Sequence, residues 1–365
     1  MRKSIKITLW IIIILIIIGI GYYLWKIFNV GENLKNLTDS NNAPAVVQQP
    51  TVAKKKLTNL TENPIFDYWV NKTSNSIYYI QPAGEVVRIT DVVKITNSQT
   101  LNKLNRVIAS PDGNYAIAKF NYPNSTSFSL FNTETNSWQP LPPNVISAAW
   151  SPDSKQILIL DDKALKILDI KDFKTKNIIS MSQEELNLDW TSASTVVLSF
   201  PSSDQLPSSA WSLSLKDKSI VPLATNEYGL VINWSKDGQY GIKFNNVIDY
   251  QAGKKPLTSL IKSDGQTLVN LSFNTIPSKC LILEKNIYCA VPKNINDGVI
   301  LLDDYYKRSV YFDDSIHLLD LSDGSSKSLW QESSNIDADH LEIFNNQLLF
   351  KNRLDDKLYS LELGN

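Results

Sequence analysis

The residues of this chain that could do chemistry are few and grouped. Carboxylates stand in adjacent pairs at Asp161-Asp162, Asp303-Asp304 and Asp313-Asp314. Two carboxyl groups flanking a glycosidic bond suffice for its cleavage, one protonating the leaving oxygen while the other activates water or attacks the sugar carbon. Their separation in space decides the outcome, and sequence does not fix it. Histidine is limited to His317 and His340, too few for a multi-histidine metal site. His340 follows Asp337 and Asp339, a grouping of ligand types that reads first as a solvated loop ahead of a strand. No Gly-x-Ser-x-Gly elbow and no glycine-rich phosphate loop occurs. No residue is therefore assigned a catalytic, cofactor-binding or metal-binding role, and no cofactor is expected. With 36 basic and 37 acidic residues, the chain offers no electrostatic footprint for nucleic acid.

A second group mixes aromatic and acidic residues. Between Pro292 and Asp314 lie Asp303, Asp304, Tyr305, Tyr306, Tyr311, Phe312 and Asp313. Aromatic side chains rimmed by charge have the character of a protein-recognition surface, which makes Asp304, Tyr305, Tyr306, Tyr311, Phe312 and Asp313 a candidate partner-binding loop. An irregular loop packed over the fold is the competing reading. The two cysteines, Cys280 and Cys289, sit on what read as adjacent antiparallel strands joined around Glu284-Lys285-Asn286. Facing one another across a hairpin in an oxidising compartment, they would form a structural disulfide. A redox role would call for Cys-x-x-Cys, which is absent.

The elements that must position these residues are announced by a repeat. Ala109-Ser110-Pro111-Asp112-Gly113, Trp150-Ser151-Pro152-Asp153-Ser154, Trp190-Thr191-Ser192-Ala193-Ser194 and Trp234-Ser235-Lys236-Asp237-Gly238 share one pattern: an apolar or Trp residue, a hydroxyl, a polar turn and then a β-rich run. Ser110, Ser151, Thr191 and Ser235 are 41, 40 and 44 positions apart, the period of β-propeller blades. Period-2 alternation gives four strands in the clearest repeat, at Ile146–Trp150, Gln156–Leu160, Leu165–Ile170 and Asn177–Ile179. Residues 57–365 therefore read as one all-β domain, a seven-bladed propeller, with six or eight blades also compatible. The last blade lacks a strand, and an open ring would expose two edges, so Leu57–Leu60 is expected to complete it. The connections Asn121–Ser125, Pro201–Ser209 and Pro292–Asp314 are expanded at the same kind of junction and should emerge on one face, where binding is usually carried.

The N-terminus predicts a membrane anchor. No charged residue occurs from Ile7 to Trp25, and such a helix would span about 28 Å, close to the hydrocarbon thickness of a bilayer. Arg2, Lys3 and Lys6 precede it while Lys26 alone follows closely, which keeps residues 1–6 in the cytoplasm. Residues 7–28 are then a single-pass anchor, 29–56 a flexible tether rich in Asn and Pro, and the propeller is extracytoplasmic at the cell membrane.

The run Ala148-Ala149-Trp150-Ser151-Pro152-Asp153-Ser154, followed by Leu165-Lys166-Ile167-Leu168-Asp169-Ile170, resembles the repeats of TolB-type, WD-repeat-like propellers. The order Lys279-Cys280, Tyr288-Cys289-Ala290-Val291-Pro292, Asp304-Tyr305-Tyr306 and Phe312-Asp313-Asp314 is similar to a group of N-terminally membrane-anchored bacterial propellers. This chain departs from that group at Tyr305, where the group carries Trp, and at Lys307-Arg308, where it carries Gly. The resemblance implies a fold and a compartment and no activity. The function expected is a non-catalytic binding or scaffold module at the cell envelope, its partner a protein or an envelope polymer. The alternative is an enzyme that processes envelope glycans or peptides with carboxylates in the propeller channel.

Overall fold

Alternating apolar residues separated by polar turns give strands almost throughout. The structure, a computed structural model, describes residues 56–364 apart from 91–92, 182–185, 250–252, 297 and 333–334. The expected anchor at 7–28 and the tether as far as residue 55 lie outside the described residues. Among the described residues no helix is long and apolar enough to cross a membrane.

Among the described residues regular structure consists of strands, one short helix at Leu301–Tyr306 and a 3-10 turn at Pro277–Lys279. The described strands form six antiparallel sheets, five with four strands and one with seven. Each sheet is a meander in which chain order and spatial order agree, except the last. The first strands of successive sheets are Asp67–Asn71, Arg106–Ala109, Ser147–Trp150, Asn187–Ser192, Cys280–Leu283 and Ala338–Phe344. In the seven-stranded sheet the long strand Ile220–Trp234 pairs through its first half with Pro207–Ser214 and through its second with Tyr240–Asp249. The architecture is all-β and propeller-like. The last sheet is completed from the other end of the domain: Leu57–Asn59 pairs with Lys357–Glu362, Leu57 opposite Leu361 and Asn59 opposite Tyr359.

The repeated phrase is turn chemistry. Ser110 Oγ donates to Asp112 Oδ1 at 2.6 Å and accepts from the Tyr115 amide at 3.0 Å. Ser151 with Asp153 and Gln156, and Ser235 with Asp237 and Tyr240, repeat the arrangement. Gly113 and Gly238 have φ of +75° and +67°, and a Cβ on either would stand about 2 Å from the carbonyl oxygen of Val70 or Thr191. The Gly113 turn is thereby seated against the first strand of the preceding sheet, and the Gly238 turn against the first strand of its own seven-stranded sheet. The core fills the gaps between sheets. Ile117, Phe128 and Leu130 of one sheet pack against Trp150, Ile157 and Leu168 of the next, and the Trp150 indole N–H bonds the Ile108 carbonyl at 2.9 Å. Burying side chains of this size contributes roughly 1.5–3 kcal/mol each.

The register places Cys280 directly opposite Cys289, and a disulfide of 2.09 Å joins them.

Candidate functional site

The first strands of the sheets converge on a cavity of about 350 Å³, lined among others by Tyr68, Arg106, Asp189, Trp234 and His340. These strands read as DYWVN, RVIA, NLDWTS and ADHLEIF, largely apolar sequences that carry Asp67, Arg106, Asp189 and the group Asp339, His340 and Glu342. Of these, Arg106, Asp189, His340 and Glu342 line the cavity.

His340 is placed there by an irregularity. The pairing of Ala338–Phe344 with Gln347–Asn352 skips between Asp339 and Glu342, and His340 within this bulge has φ of +52°. A left-handed backbone at a non-glycine residue costs on the order of 1–3 kcal/mol and recurs at functional sites. The bulge re-aims the imidazole so that Nδ1 meets Asp67 Oδ1 at 2.5 Å. Tyr68 holds the same residue from its backbone side, donating its hydroxyl to the His340 carbonyl at 2.6 Å, with the two rings 4.8 Å apart. Protein surrounds the imidazole, yet 43 % of the side chain remains accessible, because the channel admits water. Burial opposes its charge, but Asp67, its hydrogen bond, and the nearby Asp339 and Glu342 outweigh burial and raise its pKa to about 9. At neutral pH His340 is a proton donor.

Asp189 supplies the complementary character. Burial raises its pKa and Arg106 pulls it back down, which gives a carboxylate more basic than a free one beside a cation. The Arg106 side chain is exposed and lines the cavity with Asp189. The wall thus offers an acid, a base and a fixed positive charge, the groups needed to move a proton from one atom of a substrate to another while neutralising an anion. Lys236 and Glu342, which also line the cavity, pair at 2.6 Å. Among the described residues no group of three or more His, Cys, Asp or Glu is arranged to hold a metal ion.

The insertion between Asn286–Pro292 and Asp314–Asp320 is held by buried charge. Lys279, Asp314 and Asp337 are fully buried and Arg353 almost so. Lys279 Nζ meets Asp314 Oδ2 at 2.7 Å and also bonds Asp337, while Arg353 bonds Asp337 at 2.6 Å. Two cations and two carboxylates compensate one another, as buried charge requires. Burial nevertheless pushes Asp314 up to about 6, against the pull of Lys279. The guanidinium of Arg353 lies 3.6 Å from the Tyr305 ring centroid and donates to the Tyr305 carbonyl at 2.7 Å.

The candidate loop residues are accordingly divided. Tyr305 and Phe312 are buried, at 2 % and 5 % exposure, with Leu301, Leu302, Ile276 and Phe244. They are core rather than a recognition face, because the ionic cluster draws the loop down onto the sheets. Asp304 accepts from the Ile300 amide at 2.9 Å, and Asp313 pairs with Lys293 at 2.8 Å. Tyr306 and Tyr311 remain exposed. Tyr306 stands edge-on to Tyr305, 5.6 Å between ring centroids, while Tyr311 lies beneath Arg308.

None of the adjacent carboxylate pairs lines the cavity. Asp161 is tied to Lys166 and to the amides of its own turn, Asp303 accepts from the Asp204 amide at 2.9 Å, and Asp314 is locked to Lys279. His317 is engaged with Ser315 Oγ at 2.8 Å. Sequence reasoning missed Asp67, Arg106 and Asp189 and took His340 for loop. A usable signal was present, since Asp67, Arg106 and Asp189 each stand as the one charged residue of a short, largely apolar strand.

No family model and no curated protein matches the chain. Solved structures are similar to it in fold. An oligogalacturonate lyase in complex with manganese is 11% identical, with a TM-score of 0.58 over 84% of this chain and 93% of that one. A catalytically inactive histidine-to-alanine form of virginiamycin B lyase from Staphylococcus aureus with quinupristin is 13% identical, with a TM-score of 0.54 over 85% of this chain and 100% of that one. The tricorn protease is 8% identical, with a TM-score of 0.54 over 87% of this chain; this chain spans about a third, 34%, of its length. These likenesses establish a β-propeller-like fold.

They also correct the expectation of a non-catalytic scaffold and of a protein that is not an enzyme. That expectation rested on the absence from the sequence of a Gly-x-Ser-x-Gly elbow, a phosphate loop and a multi-histidine site. In the two lyases the matched ring makes up 93% and 100% of the chain, so a ring of this kind can itself be an enzyme. Nothing in the structure or in these likenesses supports a scaffold role.

Proposed function

We propose that this protein is an enzyme that processes a glycan or peptide of the cell envelope by acid–base catalysis in the propeller channel. The observation that carries this reading is the His340–Asp67 pair, set into the channel by a bulged, left-handed residue. His340, held protonated by Asp67, is the general acid. Asp189 is the base, and Arg106 stabilises negative charge on the substrate. A positioned proton donor or acceptor typically contributes 10²–10⁴-fold in rate. Oligogalacturonate lyase and virginiamycin B lyase, named for acting on a glycan and on an antibiotic, lend the fold precedent alone.

The ring is read as seven-bladed and TolB-like, the seven-stranded sheet counting as two blades that share Ile220–Trp234. Residues 7–28 are read as the membrane anchor, with the ring outside the cytoplasm, where the Cys280–Cys289 bridge would persist. The test is incubation of the full chain in detergent with glycan and peptide fractions of bacterial envelopes, followed by mass spectrometry of the products. New products are expected with the native chain and lost in His340→Asn, which keeps a residue tolerant of positive φ, and in Asp67→Asn. Turnover that survives both substitutions, or no turnover of any fraction, overturns the reading.

A further inference from the structure

An ion pair accounts for the charges of the buried cluster beneath the insertion and leaves one oxygen unexplained. Lys279 and Asp314 are fully enclosed, with no exposed surface on either side chain, and Lys279 Nζ lies 2.7 Å from Asp314 Oδ2. An amine nitrogen and a carboxyl group in direct contact are the two halves of an amide. The two carboxyl groups beside Nζ are not alike. Asp337 is bound by Lys279, by Arg353 at 2.6 Å and by the Phe312 amide at 3.1 Å, an anion well supplied with donors. Asp314 receives the Ala338 amide at 2.8 Å on the same Oδ2 that meets Lys279, while its Oδ1 is buried without a hydrogen-bond partner. A carboxylate with one bare oxygen is the form that burial penalises, and burial is what brings Asp314 up to about 6. The rings of Tyr305 and Phe312 stand 5.3 Å and 5.6 Å from Nζ and give the amine an apolar wall.

We propose that Lys279 and Asp314 condense to an intramolecular isopeptide bond, Nζ joined to Cγ, with Asp337 accepting the proton that frees the amine. The bond formed is Nζ–Cγ and the bond broken is Cγ–Oδ1, whose oxygen leaves as water. The reactants are the Lys279 ammonium, the neutral Asp314 acid and the Asp337 carboxylate. Of the protons they carry, one stays on the amide nitrogen, two depart in the water and the last ends on Asp337. No oxidant, reductant or cofactor enters. The Ala338 amide, already on Oδ2, holds the oxygen that becomes negative as the nitrogen adds. Burial opposes the charge on Lys279, and Asp314 and Asp337 outweigh it. Once Asp314 is neutral, one of these two carboxylates no longer holds the ammonium proton. Fixing amine and carboxyl in contact replaces a bimolecular encounter, an advantage that reaches effective molarities of about 10⁵–10⁸ M. The bond ties the residue ahead of Cys280–Leu283 to the first residue of Asp314–Asp320 and closes the base of the insertion beside the Cys280–Cys289 bridge. This inference goes beyond the acid–base reading of the channel and does not depend on it.

Intact mass spectrometry of the full chain, purified in detergent and reduced at Cys280 and Cys289, reads the bond directly. The native chain is expected to be lighter than its sequence mass by one water. Tryptic digestion should leave Lys279 uncleaved in a branched peptide that joins residues 263–285 to residues 309–327. Lys279→Arg keeps the charge but offers no amine to acylate, and it should show its full sequence mass. Asp337→Asn keeps both reacting groups and removes the proton acceptor, so the cross-linked fraction early after synthesis should fall at least tenfold. The native chain carries the decisive measurement, so a variant that fails to fold does not weaken the test. A native chain at full sequence mass overturns the proposal. So does a deficit of one water without the branched peptide, which an aspartyl succinimide would give. Cross-linking at the native level in Asp337→Asn overturns the assignment of Asp337 as proton acceptor.

Discussion

Asp67 and His340 stand 273 positions apart in the chain and meet at 2.5 Å, one on the first strand of the first sheet and the other on the first strand of the last. The pair therefore bridges the seam at which the ring closes, and both its charge state and its existence depend on that closure.

The charge state has a pH signature. His340 titrates near 9 in the folded chain against about 6.5 when unfolded. A raised pKa means that the folded state holds the proton more tightly, so the stabilisation is fully present below about 6.5 and is lost as pH rises through 9. Stability from denaturant titration should fall across this window. With Asp67→Asn the imidazole loses its carboxylate and the decline should shrink and move to lower pH. If the wild type and Asp67→Asn show the same profile, the pair is not charged as described. The alkaline limb of kcat/KM should move with it.

The Lys279 cluster should be brittle. Lys279→Met leaves Asp314 and Asp337 buried, with Arg353 still bonded to Asp337 and Asp314 without its cation, and breaking a buried pair from one side typically costs 3–5 kcal/mol. Chemical denaturation should show a loss of that size, with Tyr305 and Phe312 exposed to solvent in the variant. A loss below about 1 kcal/mol would mean that water reaches the cluster.

What the sequence made legible follows from the range of the interactions involved. The Ser110–Asp112–Gly113 turn is specified within five residues, so its recurrence gave the repeat directly, and Ser154 at φ of +61° shows the turn surviving loss of its glycine. Leu57–Leu60 could be assigned to the last sheet because an open edge has few remedies, and the strand observed is Leu57–Asn59. The site was not legible in this way. His340 acquires its role from a bulge and from a partner on the opposite side of the seam, neither of which has a local sequence signal. Asp303 and Asp314 looked chemical because they stood in pairs, but Asp303 lies on the short helix and Asp314 opens a strand, and each was consumed separately by packing. Tyr305 and Phe312 looked like surface because their loop is long, and a buried Lys–Asp–Arg cluster assembled from three other segments drew them inward.

The disulfide should be worth measuring on its own. Cys280 and Cys289 close a loop of about ten residues, for which the chain-entropy model gives roughly 2.5–3 kcal/mol. Reduction, or the double change Cys280→Ala with Cys289→Ala, should lower unfolding free energy by about that amount. The cavity-lining residues are on other strands, so turnover at a temperature well below melting should persist. Lost turnover in a still-folded double variant would place the bridge within the functional unit.

Gly113 and Gly253 form a matched pair for testing how sheets are seated. Both have positive φ, +75° and +79°, so an added side chain meets similar backbone strain, about 1–2 kcal/mol. At Gly113 a Cβ would also stand 1.9 Å from the Val70 carbonyl oxygen, whereas at Gly253 nothing lies within 4 Å. Gly253→Ala should therefore cost no more than the strain, while Gly113→Ala should cost a further 1–3 kcal/mol, in the range of overpacking. Equal losses in the two would show that the first and second sheets are not in the contact described.

Closure itself can be opened at the seam. Thr58→Pro places a residue without an amide hydrogen in the short strand Leu57–Asn59, which pairs with Lys357–Glu362, and proline within a paired strand removes a ladder bond. The last sheet would then hold one side by its three remaining strands, leaving Lys357–Glu362 as a free edge open to intermolecular pairing. Two outcomes are expected together: concentration-dependent association in size-exclusion chromatography, and loss of the alkaline His340 titration, because Asp67 and His340 lie on opposite sides of the seam. A variant that associates yet keeps the His340 pKa near 9 would show that the dyad, with Tyr68 bonded to the His340 carbonyl at 2.6 Å, is sufficient to hold the seam without the closing strand.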